Sequence, residues 1–254
     1  MPLSHAESDA SGPKFGLQTW TLRHMTFEQV VGFATANHIK YLQLTSQHLD
    51  PNASLEEIRR KKAVLDQHGL VAYTFGVNGT STDNTANRKL FEVARVMGAK
   101  VIVVEPALAD WDHLEELVKE YDIKLAIHNH GPGDVFPSPY DALKAVQGMD
   151  RRMGLCIDVG HTVRTGTDVV RAVADAGPRL LDMHAKDLRD LSVAESQCIV
   201  GEGKIPIAAI FRQLRASLYQ GYVNLEYEID ANDPMPGMKQ SFAYMRGVLG
   251  ALAL

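Results

Sequence analysis

Between Phe15 and Ala251 a short run rich in valine, isoleucine and leucine, followed by a stretch with apolar residues at helical spacing, recurs eight times. The strand-like runs are Phe15–Trp20, Tyr41–Thr45, Val71–Asn78, Val101–Pro106, Leu125–Gly131, Gly154–Gly160, Leu180–Asp187 and Tyr222–Glu228. The helical stretches are Thr26–Asn37, Leu55–His68, Asp83–Met97, Trp111–Tyr121, Tyr140–Val146, Asp168–Ala176, Ile207–Leu218 and Gly237–Ala251. In Asp83–Met97, for example, Leu90, Val93, Ala94 and Met97 fall on one face and Gly98 stops the helix. Val101-Ile102-Val103-Val104 shows no polar alternation, as expected of a strand in a parallel sheet covered on both faces.

This pattern predicts an α/β protein, a single (β/α)8 (TIM) barrel over residues 14–254, preceded by a flexible lead-in over residues 1–13. The competing arrangement is an open, doubly wound sheet. No Gly-x-Gly-x-x-Gly follows the first strand, so the dinucleotide-binding form of that sheet would lack its phosphate turn.

A formal charge of -5, from 26 basic and 31 acidic residues, gives no basic footprint for nucleic acid and no polybasic patch for a membrane surface. No apolar run approaches the roughly 20 residues of a membrane span. Cys156 and Cys198 are too few for a disulfide framework and read as reduced thiols, Cys156 as inert core. The expected partner is a small polar molecule, with a homo-oligomer left open. The expected location is the cytoplasm, or the periplasm if an export signal has been trimmed ahead of the lead-in.

In a barrel, chemistry gathers where strands end at the C-terminal face. The ends of strands five to eight carry His128 and His130, Asp158 and His161, His184 and Lys186, and Glu226 and Glu228, with Glu105 at the end of strand four. Alternation puts Asp182, His184 and Lys186 on one face, and Asn224, Glu226 and Glu228 on another. Asp158, His184 and Glu226, completed by His128 or Glu105, form a mixed oxygen and nitrogen set suited to one Mn²⁺, Mg²⁺, Co²⁺ or Zn²⁺ ion. Without a metal, so many buried carboxylates and imidazoles at one mouth would be costly.

Lys186 reads either as a salt-bridge partner of these acids or as a general acid/base. Glu228 reads as a solvated rim residue and Asp187 as a cap or a lysine partner. Gln18 and Trp20 could wall a sugar pocket, and Trp20 reads equally as core packing. Glu202, in Gly201-Glu202-Gly203-Lys204, lies either in a loop whose backbone N–H groups meet a phosphate or sugar hydroxyl, or in a plain turn.

Asp158-x-x-His161, Met183-His184-Ala185-Lys186-Asp187, Gly201-Glu202-Gly203 and Leu225-Glu226 together resemble the xylose isomerase-like barrel superfamily, over about Phe15 to Leu249. That group holds sugar isomerases and epimerases, inosose dehydratases and the endonuclease IV type of DNA-repair enzyme. The resemblance implies a divalent metal, often Mn²⁺, on a Glu of strand five, an Asp of strand six, a His of strand seven and a Glu of strand eight. Three positions carry over, to Asp158, His184 and Glu226, while strand five presents His128.

The paired-glutamate proton transfer of ketose epimerases therefore does not carry over unchanged. Glu105 could supply the second carboxylate, or His128 and Lys186 could form the acid/base pair beside Glu226, with His130 and His161 contacting substrate. The Ile127-His128-Asn129-His130 and His184-x-Lys186-Asp187 variants look closer to barrels thought to isomerise, dehydrate or eliminate keto-sugars and keto-glycosides. The resemblance thus implies a metal-dependent sugar isomerase or epimerase working through an enediolate, with a dehydratase or lyase on the same site as the alternative. An endonuclease IV-like hydrolase would need more metal ligands and a basic face, and a non-catalytic sugar-binding barrel would not need to keep the ligand set.

Overall fold

Parallel pairing joins eight strands into a closed ring, so the barrel presents no open strand edge. The computed structural model describes residues 12–106 and 109–252, and the lead-in expected over residues 1–13 lies, up to residue 11, outside the described residues. The strands are β1 (Lys14–Gln18), β2 (Tyr41–Leu44), β3 (Val71–Gly79), β4 (Val101–Glu105), β5 (Lys124–His128), β6 (Met153–Asp158), β7 (Leu180–Ala185) and β8 (Tyr222–Leu225). They follow one another round the ring in chain order, and β8 closes on β1 through Lys14 opposite Tyr222 and Leu17 opposite Leu225. The single (β/α)8 barrel is therefore the observed fold.

The outer layer comprises α1 (Phe27–Ala36), α2 (Leu55–Gln67), α3 (Asn84–Met97), α4 (Trp111–Tyr121), α5 (Pro139–Ala145), α6 (Val159–Arg164), α7 (Val169–Ala176), α8 (Ile207–Ala216) and α9 (Met235–Leu252). Their starts are chemically marked. Thr26 forms a capping box with Gln29, and Asp168 accepts from the backbone N–H groups of Val170 and Arg171. The six-residue α6 has no counterpart in the sequence pattern. Strand six stops at Asp158 instead of Gly160, because the Asp158 side chain turns back to accept from the His161 backbone N–H (2.7 Å) and caps α6. His161 consequently sits on a helix and not in a strand.

The ladders of β5 and β8 also end earlier than the apolar runs suggest, at His128 and Leu225. Beyond Leu225, the Glu226 N–H still reaches Ala185 O (2.9 Å), so the chain stays against the barrel as it leaves the sheet. After β7, Asp187–Leu188 pairs with Gln197–Cys198 in a small antiparallel ribbon standing on the mouth. Asp187 anchors this excursion, with Oδ1 accepting from Leu188 and Ile205 N–H and Oδ2 from Gly201 and Gly203 N–H, all at 2.9–3.0 Å. A Cβ on Gly203 would stand 2.2 Å from Asp187 Oδ1, so the wrap needs glycine there.

The apolar core has two compartments. The large one fills the space between strands and helices, and the small one, Val101, Val103, Ala126, Cys156 and Leu181, lies inside the barrel. The rest of the lumen is polar, with Gln18, Gln43, Asp182, His184 and Asn224 all buried. Gly16 admits this layer, since a Cβ there would strike the Asn224 side-chain oxygen. Cys156 is fully buried in the small compartment, where burial, reinforced by Asp182, pushes its thiol well above the usual range.

Candidate active site

Barrel closure brings the ends of β5, β6, β7 and β8 onto one point. Ligand-type atoms of His128, Asp158, His184 and Glu226 all lie within 4.8 Å of one another, and all four residues are buried. His128 Nε2 is 3.1 Å from His184 Nδ1, which is 3.2 Å from Glu226 Oε2. Asp158 Oδ2 is 3.8 Å from both imidazoles. That oxygen has no hydrogen-bond partner among the described residues, although Lys186 Nζ stands 3.1 Å away, outside hydrogen-bond alignment.

An orphaned buried carboxylate oxygen beside two imidazole nitrogens and a second carboxylate is a donor set that fits one divalent cation of the Mn²⁺ or Zn²⁺ type. Glu105 is not in this set. It lies at the end of β4 and its carboxylate turns to His130 Nδ1 (3.1 Å), with Asp134 3.5 Å from the same nitrogen. Of the two candidates for a fourth ligand, the structure brings His128 to the cluster and leaves Glu105 at the rim.

Beneath the cluster runs an amide and carboxylate chain that the sequence did not announce. His184 Nε2 meets Gln43 Oε1 (2.5 Å), Gln43 Nε2 donates to Asp182 Oδ2 (2.5 Å), and Asn224 Nδ2 donates to Asp182 Oδ1 (2.9 Å). Gln18 donates to Gln43 Oε1 (2.6 Å) and to Gly76 O (3.1 Å). The acceptor at Gln43 assigns the proton of neutral His184 to Nε2 and leaves Nδ1 facing the cluster. Second-layer partners of this kind orient metal-binding histidines. The only sequence signal for Gln43 is one amide inside the apolar run Tyr41-Leu42-Gln43-Leu44.

Lys186 offsets part of the negative charge in the cluster. Its Nζ lies 2.8 Å from Glu226 Oε2 and 2.6 Å from Glu228 Oε1, besides Asp158. Burial alone would discharge it, but Asp158, Glu226 and Glu228 hold its pKa well above the ordinary lysine value. Burial likewise opposes ionisation of Asp158 and Glu226, but Lys186 together with His161 and His128 at Asp158, and with His184 at Glu226, holds both below the usual carboxylate range. Burial lowers His128, whereas at His184 Glu226, with Asp158 and Asp182, outweighs burial and raises it. Burial lifts Asp182 to about 7. Glu228, expected on a solvated rim, is instead drawn in by Lys186 and Gln197.

Above the cluster opens a cavity of ≈ 390 Å³, within the usual range for small-molecule sites, bordered by Gln18, Trp20, Glu105, His130 and His161 among others. Trp20 is 37% exposed, a wall and not core. Glu202 does not border it. Its carboxylate pairs with Arg189 on the outside (3.0 Å), and the neighbouring Gly201 and Gly203 N–H groups are taken by Asp187. The segment is the plain turn of the two sequence readings, wrapped on Asp187.

A family model described as the xylose isomerase-like TIM barrel matches residues 31–248. The chain belongs to this family. An inosose dehydratase of Clostridium perfringens (strain 13 / Type A) is 28% identical over 177 residues, covering 53% of this chain and 59% of the relative. The chain spans about half the length of the curated relatives it matches. Among solved structures, the IolI protein with a bound zinc atom superposes with a TM-score of 0.78 at 15% identity over 94% of this chain and 99% of that one. The 3-keto-D-glucoside 4-epimerase YcjR of E. coli gives 0.73 at 19% identity over 92% and 99%. At those identities the likeness is one of fold. No helix among the described residues is long and apolar enough to cross a membrane.

Proposed function

We propose that this protein is a divalent-metal-dependent carbohydrate enzyme that removes the proton beside a sugar carbonyl and returns it elsewhere, as an isomerase or epimerase acting through an enediolate. The observation that carries the reading is the buried quartet His128, Asp158, His184 and Glu226 under an open polar cavity. Held by those four residues, a cation such as Mn²⁺, Mg²⁺, Co²⁺ or Zn²⁺ would supply the Lewis acidity that makes such a proton removable.

The chain's own groups do the rest. Glu226, kept ionised by Lys186, accepts the proton, and Lys186 steadies the carboxylate while it does so. His128, kept neutral by burial, would give its Nε2 to the cation, and Lys186, a charged ammonium 2.8 Å from Glu226, serves as the partner that returns a proton. Trp20, His130 and His161 border the cavity and orient the ring. Glu105 acts through His130, whose Nδ1 it holds.

The second reading, dehydration or elimination on the same groups, is favoured by one residue. With a histidine where a symmetrical pair would need a second carboxylate, proton removal by Glu226 and protonation of a departing oxygen by Lys186 become different tasks for different groups. Similarity to an inosose dehydratase supports the same reading.

Both are tested by incubating the Mn²⁺-loaded protein in D₂O with free keto-hexoses, an inosose and 3-keto-glucosides. Deuterium beside the carbonyl without loss of atoms marks isomerisation or epimerisation, and loss of water or aglycone marks elimination. Glu226→Gln should abolish either. A metal-loaded protein that exchanges no deuterium and forms no product with any member of the panel would overturn the proposal.

A further inference from the structure

The mouth of the barrel is larger than one ring needs. A second cavity of ≈ 250 Å³ lies beside the first, and His161 and Glu228 border both. Lys186, which pairs with Glu226 of the cluster, borders it as well. Gly160 makes that placement of Lys186 feasible, since a Cβ there would stand 2.7–2.8 Å from the lysine stem.

The walls of this second cavity are chemically sorted. Leu188, Ala194 and Ile229 give it an apolar part, while Arg164, Gln197, Glu195 and Glu228 give it a polar one. Gln197 is fixed, its Oε1 accepting from Glu228 N–H (2.6 Å) and its Nε2 donating to Glu228 Oε1 (3.2 Å). Arg164 is poised differently. Its NH1 lies 2.9 Å from His161 Nδ1, and no carboxylate pairs with it among the described residues. A guanidinium can only donate, so His161 Nδ1 is the acceptor of this contact and the remaining guanidinium N–H groups are left for a ligand. Apolar side chains and a fork of hydrogen-bond donors bordering one cavity suit a ring with a greasy face and oxygens on its rim.

We propose that this second cavity is a subsite for the group attached to the reacting sugar, so that the substrate is a glycoside whose aglycone lies against Leu188, Ala194 and Ile229 with an oxygen toward Arg164. The inference rests on the carbohydrate reading above, and it deepens that reading from a sugar to a two-part sugar derivative.

The test compares 3-keto-glucose with its O-phenyl and O-(4-hydroxyphenyl) glucosides on the metal-loaded full chain. In the native protein kcat/KM should be at least about tenfold higher for the glucosides than for the free sugar, as expected for burying an aromatic ring. Ala194→Trp, which fills the apolar side, should bring the glucosides down to the free sugar. Its thermal midpoint and bound metal report whether it has folded. Arg164→Gln should erase the difference between the two glucosides.

Equal handling of all three by the native protein would overturn the subsite and leave the carbohydrate reading standing. A loss in Ala194→Trp shared equally by free sugar and glucosides would do the same. Failure of the native protein to exchange or transform any of the three, or the rest of the sugar panel, would take both down.

Discussion

Replacing Gln43 by leucine should weaken metal binding without touching a ligand. The variant removes the acceptor of His184 Nε2 (2.5 Å), the donor to Asp182 Oδ2 (2.5 Å) and one of the two acceptors of Gln18. With its tautomer and ring orientation no longer held, His184 should cost the site about 10- to 100-fold in affinity. That range corresponds to about 1.4–2.8 kcal/mol. A second effect falls on folding. Asp182 keeps Asn224 but loses Gln43, and a buried acceptor left short of a donor costs about 1–3 kcal/mol. The carboxyl already sits at about 7, so taking up a proton relieves part of that cost near neutral pH. Competition against a fluorescent chelator would measure affinity, and urea unfolding in excess chelator would measure the folding term, with Asp158→Asn as the control that removes a ligand. If Gln43→Leu binds Mn²⁺ within about twofold of the native protein while Asp158→Asn does not bind, the orienting role assigned to Gln43 is wrong.

Two further outcomes follow from other parts of the fold. Asp187→Ala strands four backbone donors and should cost about 3 kcal/mol of stability, with faster hydrogen exchange at Gly201, Gly203 and Ile205 and little change in α1–α4. Uniform exchange across the barrel would contradict this. His48, buried between Thr19, Thr45 and Met25 O, has its pKa lowered by burial, so the unfolded chain takes up its proton first as pH falls. Its contribution is intact above about pH 6.5 and drains away below, at no more than about 1.4 kcal/mol per pH unit. His128 and His161 act in the same direction, so the measurement is the difference between native and His48→Gln urea midpoints at pH 7.5 and 5. An equal drop in both proteins would exclude the assignment.

Architecture was legible because apolar runs and helical stripes are local signals, repeated eight times, that a closed parallel barrel satisfies together. Strand ends were not. At His128, Asp158 and Leu225 the ladder stops while the run continues, since hydrophobicity does not record where a carbonyl ceases to find a partner on the next strand. α6 escaped because it is six residues long and its cap is the last residue of the preceding strand.

The convergence of His128, Asp158, His184 and Glu226 could be expected from strand ends alone. Choosing between His128 and Glu105 could not, because it depends on which way a side chain turns at the rim, where His130 competes for the Glu105 carboxylate. Gln43 was invisible for a further reason. It lies 141 residues from His184 in sequence, and only ring closure puts the two within bonding distance.

The wrap around Asp187 has an implication for how such a protein can diversify. One carboxylate secures both the departure of the excursion at Leu188 and its return at Gly201–Ile205, so the residues between are held at their base like an interchangeable cassette. Substitutions, insertions or a wholesale graft across 190–196 would change the roof over the mouth while the barrel beneath keeps its registration. Libraries aimed at new specificity should be built there first, and Asp187, Gly201 and Gly203 left alone.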